Sequence, residues 1–98
     1  MKTCFEIAIF KVPEQNRERV IALSHSIVSE INAQEPLILA HDILVKTEDQ
    51  EVICWHLTWL NQEAVAKTAK KWPSFPSTQE LESLVAEKIY YGHFLPLF

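Results

Sequence analysis

Two histidines near the middle of the sequence are the side chains best suited to acid–base chemistry. His41 and His56 flank the polar segment Thr47-Glu48-Asp49-Gln50. If that segment is a four-residue turn between antiparallel strands, positions 41 and 56 lie opposite each other and share one face of the sheet. Neighbouring imidazoles can share a proton or help to hold a metal. We therefore predict His56 and His41 as catalytic candidates. The alternative is that they are hydrogen-bonded polar side chains in a partly hydrated sheet.

A complete metal site is not predicted around this pair. Cys54 and Thr58 share the predicted face, and Glu6 on the first strand is the one further side chain that could reach the pair as a ligand. The two cysteines, Cys4 and Cys54, are too few and too far apart for a zinc knuckle or a disulfide framework. The single glycine excludes a glycine-rich phosphate loop. We expect neither a metal nor a cofactor.

Tyrosine and aspartate side chains supply further candidates. Tyr91 and His93 share one side of the last predicted strand, where the Tyr91 hydroxyl could bind a phenolic or quinone oxygen. Packing between subunits is the alternative role for these aromatic residues. Asp42 is predicted to lie opposite Trp55 on the other hairpin face, where a carboxylate against an aromatic wall can act as a base. A solvated position at the sheet edge is the alternative for this aspartate.

The bend that contains Trp72 and Phe75 is the candidate boundary of a pocket. Both aromatic residues lie beside prolines, so the bend forms either a lid or a rigid corner between helices. The face that carries the histidines is assigned to the pocket, because the helix-covered face should be drier. The predicted pocket residues are Glu6, Phe10, Cys54, Trp59, Trp72 and Phe75.

Strands and helices in a ferredoxin-like order are predicted to position these side chains. Segments rich in β-branched and aromatic residues predict strands over 4–12, 37–46, 51–60 and 85–94. Apolar residues at spacings of three and four predict a helix over 14–32. Asn61 is the predicted N-cap of a helix over 62–71, and Ser77 and Glu80 have the spacing of a capping box for a short helix. The order β-α-β-β-α-β predicts an α+β fold with an antiparallel sheet and helices on one face.

Both faces of the predicted sheet are apolar. In the first strand Phe5, Ile7 and Ile9 lie on one side, and Ala8 and Phe10 lie on the other. Helices can cover only one of these faces. We therefore predict a homodimer in which the second face packs against a second copy. The alternative is an exposed groove for a large apolar ligand.

The segment Trp59-Leu60-Asn61-Gln62-Glu63-Ala64, together with the element order and the apolar second face, resembles the dimeric α+β barrel superfamily. Within it, the chain is similar to antibiotic-biosynthesis-monooxygenase-like domains, whose third strand commonly ends in Trp before a polar cap and Glu-Ala. The resemblance implies a dimer of facing sheets, each with a pocket. Some members are cofactor-independent oxygenases of aromatic compounds, and others degrade haem. The second helix lacks the histidine that members often carry, and residues 4–12 lack the asparagine of haem-degrading members.

Composition limits the remaining function classes. The 98 residues are 48% hydrophobic and carry a net charge of −4, which predicts one globular domain over 1–98 and no nucleic-acid partner. The sequence has neither an apolar run long enough to span a membrane nor an apolar leader, so we expect a cytoplasmic protein.

Two function hypotheses follow from the resemblance. The first is a cofactor-independent monooxygenase or isomerase that acts on an aromatic or quinone-like molecule, with His56 or His41 as the base and Tyr91 orienting the substrate. The second is a non-catalytic ligand-binding or interaction module with the same fold.

Overall fold

Strands and helices alternate along the chain in the predicted order. The computed structural model describes residues 2–97. The strands are β1 (Cys4–Lys11), β2 (Ile38–Val45), β3 (Val52–Trp59) and β4 (Glu87–Phe94). The α-helices are α1 (Arg17–Ile31), α2 (Gln62–Lys71) and α3 (Thr78–Leu84), with short 3-10 turns at Glu14–Asn16 and Trp72–Ser74. Within the described range, no helix is long and apolar enough to cross a membrane.

The four strands form one antiparallel sheet in the order β2-β3-β1-β4. This arrangement confirms the predicted ferredoxin-like α+β fold. Alternate side chains of the strands divide between two faces. The helix face carries Cys4, Glu6, Ala8 and Phe10 of β1, and Ile53, Trp55, Leu57 and Trp59 of β3. The open face carries Phe5, Ile7 and Ile9 of β1, Cys54, His56 and Thr58 of β3, Asp42 and Leu44 of β2, and Tyr90, Gly92 and Phe94 of β4.

The core lies between the helix face and the helices. Helix α1 buries the stripe that its apolar spacing predicts, including Val20, Leu23, Ile27 and Ile31. Trp55 Nε1 donates to Ser24 Oγ over 2.9 Å, and the Ser24 hydroxyl donates to the Val20 carbonyl over 2.7 Å. These two hydrogen bonds give the buried indole N–H of Trp55 an acceptor inside the core.

Capping side chains fix where the elements begin. Asn61 is the predicted N-cap of α2, and its Oδ1 accepts a hydrogen bond from Ala64 N over 2.8 Å. Asn32 Oδ1 accepts from the backbone N–H groups of Leu37 and Ile38, and its side-chain amide donates to the Ile38 carbonyl. The asparagine therefore takes the place of a neighbouring strand at the start of β2.

The predicted register of the β2–β3 hairpin is wrong by one residue. Lys46 N donates to the Val52 carbonyl, so residues 47–51 form a five-residue loop in place of the predicted four-residue turn. As a result Asp42 pairs with His56, and His41 pairs with Leu57. A one-residue shift moves every side chain of a strand to the opposite face. His41 therefore lies on the helix face, His56 lies on the open face, and Asp42 does not face Trp55.

Candidate active site

A cavity of about 450 Å³ lies between the helix face and the helices. Its lining includes all three tryptophans of the chain, Trp55, Trp59 and Trp72. The rings of Trp55 and Trp72 contact each other edge to face, with centroids 6.4 Å apart. Small-molecule pockets are typically about 300–1,000 Å³ and largely apolar. The size and aromatic walls therefore suit a flat apolar molecule.

A buried carboxyl group, that of Glu6, forms part of the cavity wall. Glu6 is only 4% exposed. Its Oε1 accepts a hydrogen bond from Trp59 Nε1 over 3.0 Å and lies 3.0 Å from His93 Nε2. Strand β1 lies between β3 and β4, so the alternation of the three strands brings these side chains together on the helix face.

Burial determines the acidity of Glu6. Removal from water raises the pKa of Glu6, and the neighbouring charge of His93 and the hydrogen bonds from Trp59 and His93 offset only part of this effect. A carboxyl group with a raised pKa is a better proton acceptor when ionised than an exposed glutamate. Such a group inside a cavity is typical of acid–base sites.

Tyr91 supplies a hydroxyl group to the cavity lining, although the residue is 66% exposed. Tyr91 lines the cavity, and its ring contacts His93 edge to face with centroids 5.0 Å apart. Partial burial and the negative charge of Glu6 raise the pKa of Tyr91, so its hydroxyl keeps its proton at neutral pH. Lys88 and Glu82 also line the cavity, and Lys88 Nζ donates to Glu82 Oε2 over 2.8 Å. The cavity lining therefore contains carboxylate, hydroxyl and ammonium groups.

Five of the predicted site residues line the cavity, namely Glu6, Phe10, Trp59, Trp72 and Tyr91. Phe75 packs against the core beside the cavity and is not part of its lining. The Thr78 hydroxyl donates to the carbonyls of Trp72 and Phe75, which fixes this bend as a corner between helices.

The other predicted residues lie outside the cavity. His56 and Cys54 are on the open face, opposite the side on which the cavity forms. Burial raises the pKa of the Cys54 thiol, which disfavours the reactive thiolate. His41 is on the helix face at the edge strand and contacts His25. Its Nε2 lies 3.1 Å from His25 Nδ1. The structure therefore separates His41 from His56.

Sequence reasoning did not assign His93 and Thr68 to the site. The signal that could have identified His93 is the register of β1 and β4, in which Glu6 pairs with His93. Thr68 lies in the middle of α2 and lines the cavity. Its hydroxyl is buried and has no hydrogen-bond partner within residues 2–97. No sequence pattern distinguishes such a threonine from an ordinary helical one.

Comparison with solved structures identifies the fold. SnoaB, a cofactor-independent oxygenase from Streptomyces nogalater, matches with a TM-score of 0.79 and 14% identity over 100% of this chain and 96% of its own. A proposed antibiotic biosynthesis monooxygenase from Bordetella bronchiseptica matches with a TM-score of 0.76 and 13% identity over 100% of both chains. A proposed antibiotic biosynthesis monooxygenase from Chloroflexus aurantiacus matches with a TM-score of 0.69 and 19% identity over 98% of this chain and 94% of its own.

These matches confirm the predicted resemblance at the level of fold. The chain has the ferredoxin-like architecture of antibiotic biosynthesis monooxygenase proteins. No family model and no curated protein matches the sequence. Fold alone does not determine activity, so the chemistry depends on the side chains of the site.

Proposed function

We propose that this protein binds a small aromatic molecule in the helix-face cavity and catalyses its oxidation by dioxygen without a cofactor. The observation that carries the proposal is the buried Glu6 carboxyl group in the wall of an aromatic cavity, hydrogen-bonded through Oε1. Glu6 is the base in this proposal because neither His56 nor His41 lines the cavity. The structural likeness to SnoaB, a cofactor-independent oxygenase, supports the choice of oxidant.

In the proposed reaction, the Glu6 carboxylate accepts a proton from a weakly acidic O–H or C–H group of the substrate. The resulting anion is electron-rich and reduces dioxygen. For a hydroxynaphthalene with a hydrogen on the ring carbon para to the hydroxyl, that carbon binds one oxygen atom, which becomes the second carbonyl of a naphthoquinone, and the other oxygen atom leaves as water. The Tyr91 hydroxyl donates a hydrogen bond to the substrate oxygen and orients the ring. The apolar walls keep water away from the anion.

Binding can be measured directly, because all three tryptophans line the cavity. A panel of hydroxynaphthalenes is titrated into the protein, and tryptophan fluorescence is recorded. We expect saturable quenching by at least one probe. Oxygen uptake with the same probe, in the absence of metal and flavin, then measures turnover. Absence of saturable quenching across the panel contradicts an aromatic-binding cavity.

Two matched variants separate binding from chemistry. Glu6→Gln keeps the shape of the side chain and should bind the probe while losing oxygen uptake. Glu82→Gln, at the Lys88 pair, also removes a cavity-lining carboxylate and should retain uptake. If Glu6→Gln turns over at the wild-type rate, Glu6 is not the base. Saturable binding without oxygen uptake in the wild-type protein would instead support the ligand-binding module.

We also propose that two copies pack through their open faces. Leu44, Tyr90 and Phe94 on this face are each about half exposed, and β1 contributes Phe5 and Ile7 between them. A continuous apolar face of this kind is typical of a protein–protein interface. The same face carries His56, which lies 3.6 Å from Asp42 and stacks against Phe5.

Native mass spectrometry tests this assembly. We expect a dimer for the wild-type protein at micromolar concentration and a monomer for Ile7→Lys, which places a charge at the centre of the open face. Ala22→Lys, on the exposed side of α1, is the control and should remain dimeric. A monomeric wild-type protein contradicts the proposed interface.

A further inference from the structure

The pair formed by His25 and His41 lies outside the cavity, between α1 and the edge strand β2. Nδ1 of His25 is 3.1 Å from Nε2 of His41. Their rings are inclined by 68°, with centroids 5.2 Å apart. His25 is exposed and His41 is partly exposed. Solvent therefore reaches a place where two imidazole nitrogens converge from different elements.

The environment of this pair differs from that of the other two histidines. His56 lies beside Asp42, and His93 lies beside Glu6, so each has a carboxylate partner. Among the described residues, the hydrogen-bond contact of His25 and His41 is with each other. An exposed contact between two imidazoles contributes little to stability, because water competes for both nitrogens and protonation of both rings is repulsive. Two neutral imidazoles can instead act as metal ligands.

The separation of the two nitrogens suits a shared ion. With metal–nitrogen distances of about 2.0–2.1 Å, two nitrogens 3.1 Å apart subtend about 98° at the metal. That angle lies between the square-planar and tetrahedral values. In the hydrogen-bonded pair the two nitrogens face each other, so chelation requires both rings to turn until their lone pairs point to one metal ion.

We propose that His25 and His41 chelate a divalent transition-metal ion, such as Ni²⁺ or Cu²⁺, at the edge of the sheet between α1 and β2. The range 2–97 contains no cluster of three or more metal-ligating side chains, so water fills the remaining coordination positions. The order of affinities should be Cu²⁺ above Ni²⁺ for such nitrogen ligands. The ion would link α1 to an edge strand and stabilise the folded state by mass action.

Isothermal titration with NiCl2 tests the site on the untagged chain in a non-coordinating buffer. We expect one ion per chain, and a loss of at least about tenfold in affinity for His25→Ala and for His41→Ala, since each removes one of two protein ligands. His56→Ala, on the open face, is the control and should bind like the wild type. Ni²⁺ should also raise the melting temperature of the wild type and of His56→Ala only.

Two results would overturn the proposal. One is the absence of Ni²⁺ binding to the wild-type chain. The other is undiminished binding in His25→Ala, which would place the ion elsewhere. If His41→Ala does not fold, His25→Ala decides the question alone, because position 25 is exposed on a helix that favours alanine.

Discussion

Replacement of Thr68 by valine should make the folded protein more stable. The Thr68 side chain is 4% exposed, and its hydroxyl is buried without a hydrogen-bond partner in the described residues. Burial of an unpaired hydroxyl costs about 1–3 kcal/mol, and the added methyl group contributes about 0.8 kcal/mol of apolar burial. Thr and Val have nearly equal helix propensities, so the change in helix propensity does not alter the free energy of unfolding. Together these two effects should raise the free energy of unfolding by about 2–4 kcal/mol.

Thr78 provides a matched control. It is 1% exposed, and its hydroxyl donates to the Trp72 carbonyl over 2.8 Å and to the Phe75 carbonyl over 3.1 Å. Thr78→Val removes the donor and leaves two acceptors unpaired in the bend. This substitution should lower the free energy of unfolding by about 1–3 kcal/mol. The same chemical change therefore has opposite expected signs at two buried threonines.

Urea unfolding at one fixed protomer concentration measures both changes, and the fixed concentration keeps the contribution from association the same for each variant. For a domain of this size, about 1 kcal/mol corresponds to about 4–8 °C in melting temperature, so thermal melting gives a second estimate. If Thr68→Val is as destabilising as Thr78→Val, the Thr68 hydroxyl has a partner in solution. That result would show that burial of this hydroxyl does not destabilise the folded state.

Three further substitutions test separate contacts. Glu6→Gln should reduce the pH dependence of stability. Because burial raises the pKa of Glu6, the wild-type free energy of unfolding falls as the pH rises through that pKa. Urea unfolding between about pH 4 and pH 8 should show a smaller fall in the variant. Ser24→Ala should cost about 1–3 kcal/mol because it leaves Trp55 Nε1 unpaired, and a double-mutant cycle with Trp55→Phe should show that the two losses are not additive. Gly92→Ala should cost less than about 1 kcal/mol in thermal melting, because the new Cβ would lie 2.7 Å from the hydroxyl of Tyr90, the movable end of a side chain; a larger loss would show that this ring is fixed.

The element order was predictable because local signals agree with the fold. The apolar spacing in α1, the Asn61 cap and the prolines each act within a few residues. Boundaries were less accurate where tertiary contacts intervene. The fourth strand begins at Glu87 and not at residue 85, because α3 continues to Leu84 and Val85 is its C-cap.

The site was harder to predict because it depends on pairing between distant strands. The relation between His41 and His56 rested on the length of one loop, and one additional loop residue separated the two side chains. Glu6 was predicted in the pocket, but its partner His93 lies on a strand at the other end of the sequence. The face that holds the cavity depends on how α2 and α3 pack against the sheet, and no local sequence pattern determines that packing.

The strand order also has a consequence for biosynthesis. β1 lies inside the sheet, and β4, which covers one of its edges, is the last strand to be synthesised. Until β4 emerges from the ribosome, β1 presents unpaired backbone groups along an apolar segment. Exposed edges of this kind bind other chains and favour aggregation. Until β4 is in place, pairing with other chains therefore competes with completion of the sheet along this edge of β1.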